Sequence, residues 1–339
     1  MDPFFRVGLL VLVGSAGSGW AAPPSPMTKA LTPRVAETLS RRERPNEHGA
    51  MGRNRGGYIH ARFQCYLHRH VDHAIATESA EPLRWFCEAA EYALQRQQPN
   101  GGFDFRLPPG TSAQASPSET DLASGTAFFT ASLATGLLEL KRSRWFRETD
   151  SLVPERLRVM AIQSQLSRSV QHVFQQRKLL RRADGAAPNR LLLDALALMA
   201  GGALVDRDEV LAAGREFLDR ALKLVHDDGF FIEGGGYDSS YNGVATAIAY
   251  RIERLFPSDR LAGIADRAMA WQMTRIEHSG QIMTDGNARV HQEGEHFLGR
   301  RKDVDVAFTL EAMALAYARK KDPQVLDLAQ RVQRFYSRH

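Results

Sequence analysis

The stretch LLLDALALMAGGAL (191–204) is apolar on nearly every face and crowded with Ala and Gly. The stretch after it, 207–226, is different: Val210, Phe217, Leu218, Leu222 and Val225 fall on one helical face with charges opposite. A helix that is apolar all round has to be enclosed by other helices, whereas one with a single apolar stripe sits at a surface. The same pair recurs near the C-terminus. VDVAFTLEAMALAYA (304–318) is apolar on most faces, and 323–337 carries Val325, Leu328, Val332 and Phe335 on one stripe. This alternation predicts an all-α chain in two concentric layers, with 188–204, 238–255 and 303–318 in the inner one. About ten helices in about five hairpins fit an (α/α) toroid of five to six hairpins. Strand signals are few.

The connecting segments echo one another. QQPNGGF (97–103), RADG (182–185), HDDGFF (226–231) and MTDGN (283–287) each follow a helical stretch. Asp-Gly and Asn-Gly mark turns, because Gly accepts positive φ and Asn or Asp bonds its own backbone. Their irregular spacing excludes a strict solenoid. It places the long polar segments 98–121, 182–190, 227–242 and 278–303 at one rim.

The N-terminus reads as an export signal over 1–21. Arg6 precedes the apolar run Val7–Val13, which passes into small residues and ends Gly19-Trp20-Ala21-Ala22. Cleavage is expected near Ala21; the alternative is an uncleaved anchor. The run is too short to span a bilayer as a mature helix, so no stable membrane insertion is expected once the signal is removed, and the protein is expected in the periplasm or secreted. Residues 22–55, rich in Pro, Arg and Gly, read as a loose arm, and 56–339 as the toroid domain. Cys65 and Cys87 fall on helical stretches 58–76 and 81–97, equidistant from the turn near residue 76. A disulfide across that hairpin and two separate buried thiols are both compatible with the spacing.

The rim segments hold the chemistry. DDGFFIEGGGYDSSYNG (227–243) contains three consecutive glycines with Glu233, Tyr237, Asp238, Tyr241 and Asn242. Asp238 and Tyr241 lie one turn apart if a helix begins at Asp238; the plainer alternative is a helix cap followed by a core tyrosine. DGNARVHQEGEHFLGRRKD (285–303) crowds Asn287, Arg289, His291, Glu293, Glu295, His296, Arg300 and Arg301 into one loop. It reads as an anion-binding lid or a solvated polar loop. His291, Glu293 and His296 match no standard zinc spacing, so no metal is expected. His68, His70 and His73 read as structural or surface residues.

The run from Asn189 to about Tyr250 resembles the matching part of alginate lyases and other toroid-type polysaccharide lyases, including heparinase-like enzymes. The likeness lies in an Asn at the mouth of an enclosed helix, an amphipathic helix, an Asp-Gly-Phe turn and a Gly- and Tyr-bearing segment. In those families the Asn sits beside a His, and a Tyr about 50 residues later acts in catalysis. The resemblance implies Asn189 and Tyr241 here, 52 residues apart, with Arg190 where the His would stand. It implies a polysaccharide lyase acting by β-elimination on an acidic, uronate-containing polysaccharide, with no cofactor.

Such an elimination removes the proton α to a uronate carboxylate and expels the 4-linked oxygen. Asn and Arg neutralise the carboxylate and stabilise the enolate-like state, while a base and an acid move the protons. Tyrosine can serve if a nearby cation lowers its pKa from about 10, and Arg190 or Arg289 is placed to do so. The expected catalytic set is Tyr241, Asn189, Arg190 and His291. The substrate-binding set is Tyr237, Asp238, Asn242, Asn287, Arg289, Arg300 and Glu233. Two other readings stay open: a toroid glycoside hydrolase using a carboxylate pair from Asp121, Glu233, Asp238 and Asp285, and a non-catalytic glycan-binding protein. A net charge of +5 without dense Lys/Arg runs and interleaved aromatics argues against a nucleic-acid partner.

Overall fold

The computed structural model describes residues 33–107, 117–297 and 300–337. The export signal and its cleavage site lie outside these residues, as do 108–116 of the first rim segment.

Twelve α-helices are found among the described residues: α1 (Pro33–Arg42), α2 (Leu67–Thr77), α3 (Ala80–Leu94), α4 (Glu119–Arg142), α5 (Arg144–Glu148), α6 (Val153–Ala183), α7 (Pro188–Val205), α8 (Asp208–Leu222), α9 (Ser239–Leu255), α10 (Asp259–Thr274), α11 (Val306–Lys320) and α12 (Pro323–Tyr336). The strands among them are a two-residue antiparallel pair, β1 (His296–Phe297) and β2 (Arg300–Arg301).

Helices α2, α4, α7, α9 and α11 form the inner layer. Each packs on its neighbours in that order, and α3, α6, α8, α10 and α12 cover them from outside. The fold is an all-α (α/α) toroid, as the alternation of patterns predicts. Helix α7 is long and apolar enough by composition to cross a membrane, but its residues are mostly buried among its neighbours. It is a core helix. Close approach within the inner layer depends on small residues: a Cβ on Gly243 of α9 would stand 2.6 Å from Thr309 Oγ1 of α11.

The loop echo is real: two of the four expected segments, 97–103 and 226–231, belong to it, and the third copy is another segment. Three turns share one construction: Gln97–Phe103 after α3, Val225–Phe231 after α8 and Ile276–Ile282 after α10. Each is closed by a bridge between residues six apart. Each carries a glycine at positive φ, Gly101, Gly229 and Gly280. Each glycine lies against the backbone of the next outer helix, at Arg168, Arg267 and Arg331 respectively. The segments 182–185 and 283–287 are not part of this set.

Two further expectations are corrected, and the open question of the cysteines is answered. Residues 33–55 are not a loose arm: Ala36, Leu39, Ala50 and Met51 are buried, and α1 packs on α2. The expected helix over 58–76 begins only at Leu67, because 58–66 is held by side-chain hydrogen bonds. Asn54 Oδ1 accepts from the Ile59 and His60 amides, and Gln64 bridges the Met51 amide to the carbonyls of Gly49 and Ala89. Cys65 therefore sits off the helix, and Cys65 and Cys87 are two free thiols.

Candidate functional site

All five inner helices start at the same end of the ring, and a cavity of about 660 Å3 lies between their N-terminal halves. N-termini of helices favour negative charge, and the lining agrees: Arg53, Arg62, Arg190, Arg251, Arg289 and Lys302 face four carboxylates, Glu43, Asp121, Asp303 and Asp305.

The order of the cavity wall follows from one buried cap. Asp238 is fully buried and begins α9. Its Oδ1 accepts from the Ser240 and Tyr241 amides, and its Oδ2 from the Arg289 and Val290 amides at 3.0 and 2.8 Å. One carboxylate thus ties the start of α9 to the 285–301 loop and brings Tyr241 and Arg289 to one wall. The Arg289 guanidinium stands 5.1 Å from the Tyr241 ring centre, and the Lys302 ammonium 5.9 Å. No described protein group hydrogen-bonds the Tyr241 hydroxyl.

Arg289 is itself oriented from behind. Its Nη1 donates to Glu233 at 2.6 Å and its Nη2 to Glu295 at 3.3 Å. Burial raises the Glu233 pKa against the pull of Arg289. On α7, Asn189 is buried and its Oδ1 has no partner, while Arg190 Nη1 donates to Asp184 at 3.0 Å. Asn189, Arg190, Tyr241 and Arg289 therefore line one cavity, although they are spread over 101 positions of sequence.

The other expected site residues lie elsewhere. His291 has φ of 69° and sits outside the lining, bonded to Thr284 and, at 2.9 Å, to Asp303. Tyr237 packs with Phe230 and Trp271 under the Arg275 guanidinium. Asn242 is fully buried and spends its amide on the Phe231 amide, the Ala268 carbonyl and Gln272. Asn287 accepts from the Ser239 amide. Glu233 and Asp238 act through Arg289 and Tyr241, as described. The side chains of Arg300 and His296 lie outside the described residues. Of the carboxylates considered for a hydrolase, only Asp121 lines the cavity, where it also completes the capping box of α4 with Ser118.

The floor was not foreseen. His68 faces the cavity from α2, its Nδ1 3.0 Å from Ser132 Oγ and its Nε2 3.4 Å from Glu311. Burial pushes its pKa down to about 4, so the ring is neutral at pH 7. Burial would raise Glu311, but Arg251 and Arg69 hold it well below the carboxylate range. Their Nε atoms donate to it at 2.5 and 2.9 Å. Beneath, Arg251 pairs with Asp72 at 2.6 Å, and Arg254 pairs with Glu139. His70 and His73 are buried structural residues, His70 bonded to Ser40. Cys65 also lines the cavity, with burial pushing its thiol up to about 12, which leaves it protonated. The missed signal was the density of His, Arg and Asp in LHRHVDH (67–73): five charged or titratable residues on a helix that also carries the inner ring's apolar contacts.

No family model and no curated protein matches the chain. A solved structure does: a crystal structure of a D-mannose isomerase is similar over 95% of this chain and 88% of that one, with a TM-score of 0.53 and 12% identity. At that identity the likeness shows the fold, an α/α toroid of a kind that carries an enzyme. The class of protein that fold and cavity define is a toroid with one central, cation-lined pocket at the N-termini of its inner helices.

Proposed function

We propose that the protein is a carbohydrate-active enzyme that binds an acidic sugar in the central cavity and removes the proton next to its carboxylate, ending in β-elimination. The observation that carries this reading is the meeting of Asn189, Arg190, Tyr241 and Arg289 on one cavity wall. Arg190 and Arg289 neutralise the carboxylate, and the Asn189 side-chain Nδ2 donates to the enolate-like state. Tyr241, with a free hydroxyl and two cations at its ring, moves one proton. His68, neutral and oriented by Ser132, is the second proton-transfer group in reach of the cavity, in place of His291. The apolar run before Gly19 supports export as the route to such a substrate.

The test is a screen of uronate polymers and oligomers for the ultraviolet absorbance of an unsaturated uronate. A parallel assay recovers the sugar from deuterated water and looks for deuterium at the α carbon. A reading of neither would end the proposal.

The likeness to a D-mannose isomerase favours a second reading, an aldose–ketose isomerase. That reaction also begins with loss of a proton next to a carbonyl, so the same two groups would serve. A neutral hexose, however, gives no use to the two arginines at the mouth, Arg190 and Arg289. Interconversion of free hexoses without ultraviolet change would decide for it.

A further inference from the structure

The cavity is closed below. Under His68 and Arg251 the bore of the ring is filled by Glu311, Asp72, Arg254 and Glu139, every one of them paired with another of the set or with Arg69. Their side chains are no more than 13% exposed. Above, Tyr241 and Arg251 mark the two ends of the wall on α9. Ten residues of helix separate them, a depth of about 15 Å at 1.5 Å per residue. A cavity of about 660 Å3 over that depth is a blind pocket and not an open groove.

Charge is sorted along this depth. Near the mouth, Arg190 and Arg289 keep side-chain exposures of 36% and 24%. Deeper, Leu193, Leu196, Val244, Ile248 and Phe308 form an apolar belt. Asn189, 8% exposed as a residue, is a polar side chain in the wall above this belt. A polymer lying across the rim would leave the belt and the His68 floor unused.

Resting on the acidic-sugar reading above, we propose that the cavity takes the end of an acidic saccharide chain, so that the protein works from a chain terminus and not at internal linkages. The terminal ring enters lengthwise along the apolar belt toward His68, and the carboxylate stays with the arginines at the mouth. The rest of the chain leaves through the rim loops. The sealed bore gives it no other exit.

The test is calorimetric titration of the full chain, in the cold to suppress turnover, with short and long fractions of polygalacturonate, alginate and hyaluronate at equal mass. Binding at chain ends predicts that the capacity per milligram of polymer falls in inverse proportion to mean chain length, and that a trisaccharide matches the polymer per molecule. Capacity per milligram that is independent of length overturns this proposal and leaves the acidic-sugar reading standing. Absence of binding for every fraction overturns both.

Discussion

At the scale of single residues, the cavity separates groups that would touch a ligand from groups that hold them. Tyr241 and Asp238 are three positions apart and both were candidates, yet only Tyr241 faces the cavity. Asp238 has all its acceptor capacity taken up by four backbone amides. Tyr241→Phe removes a hydroxyl that no described protein group uses, so its melting temperature should stay near that of the parent. Turnover on an active uronate should fall about a hundredfold or more, the usual scale for a general acid or base, with binding little changed. Near-normal turnover would remove Tyr241 from the chemistry. His68→Gln tests the second group. It should lower turnover on a similar scale and abolish an acid limb in kcat/KM near pH 4, where the ring would take up its proton. If instead only the melting temperature moves, His68 is a packing residue held by Ser132.

At the scale of elements, the three glycine turns make a sharp prediction. Gly101 has φ of 87°, and a Cβ there would run into the Arg168 carbonyl on α6. Gly101→Ala should therefore cost about 1–3 kcal/mol from the left-handed backbone alone, with more from the overlap, read as a lower urea midpoint at unchanged slope. The inner and outer layers were legible because enclosure imposes an apolar circumference that composition records directly. Asn189 and Tyr241 were legible because both open inner helices beside polar loops. The turn repeat was misread because its third copy is Glu-His-Ser-Gly, without the Asp-Gly or Asn-Gly pair. What the copies share is a bridge six residues wide. The 51–66 wall was not legible for another reason: Asn54 and Gln64 replace backbone periodicity with side-chain hydrogen bonds, which leave no pattern in hydrophobicity. Reading that stretch as a loose arm and a helix hid Arg62 and Cys65, and with them one side of the cavity.

At the scale of the whole molecule, buried histidines set the pH response. Burial lowers His60 to about 4, His68 to about 4 and His70 to about 3. Between pH 6.5 and about 4 the unfolded chain binds those protons and the folded chain does not, so stability falls as pH falls. Asp194 acts the other way: burial raises its pKa well above the usual carboxylate value, so the folded chain keeps a proton that the unfolded chain has released. Buried carboxyls with raised pKa, Asp194 and Glu233 among them, reduce the proton uptake on unfolding, so the slope should stay below the roughly 4 kcal/mol per pH unit of three histidines alone. Denaturant unfolding at several values between pH 4.5 and 7.5 measures it, and a flat profile would mean that the histidines are not buried neutral.

The floor of the cavity also has a position in time. Arg69 and Glu311 are 242 residues apart, and α1 reaches Gln333 of α12 through Thr38. The ring is a band whose two ends must meet before Glu311 can arrive between Arg69 and Arg251. Until α11 is in place, Arg251 has Asp72 and Arg69 has only the more distant Glu43 as a carboxylate partner, and nothing joins the two arginines. A growing chain therefore has a bore open at both ends until Glu311 arrives, and becomes a one-ended vessel only in its last steps.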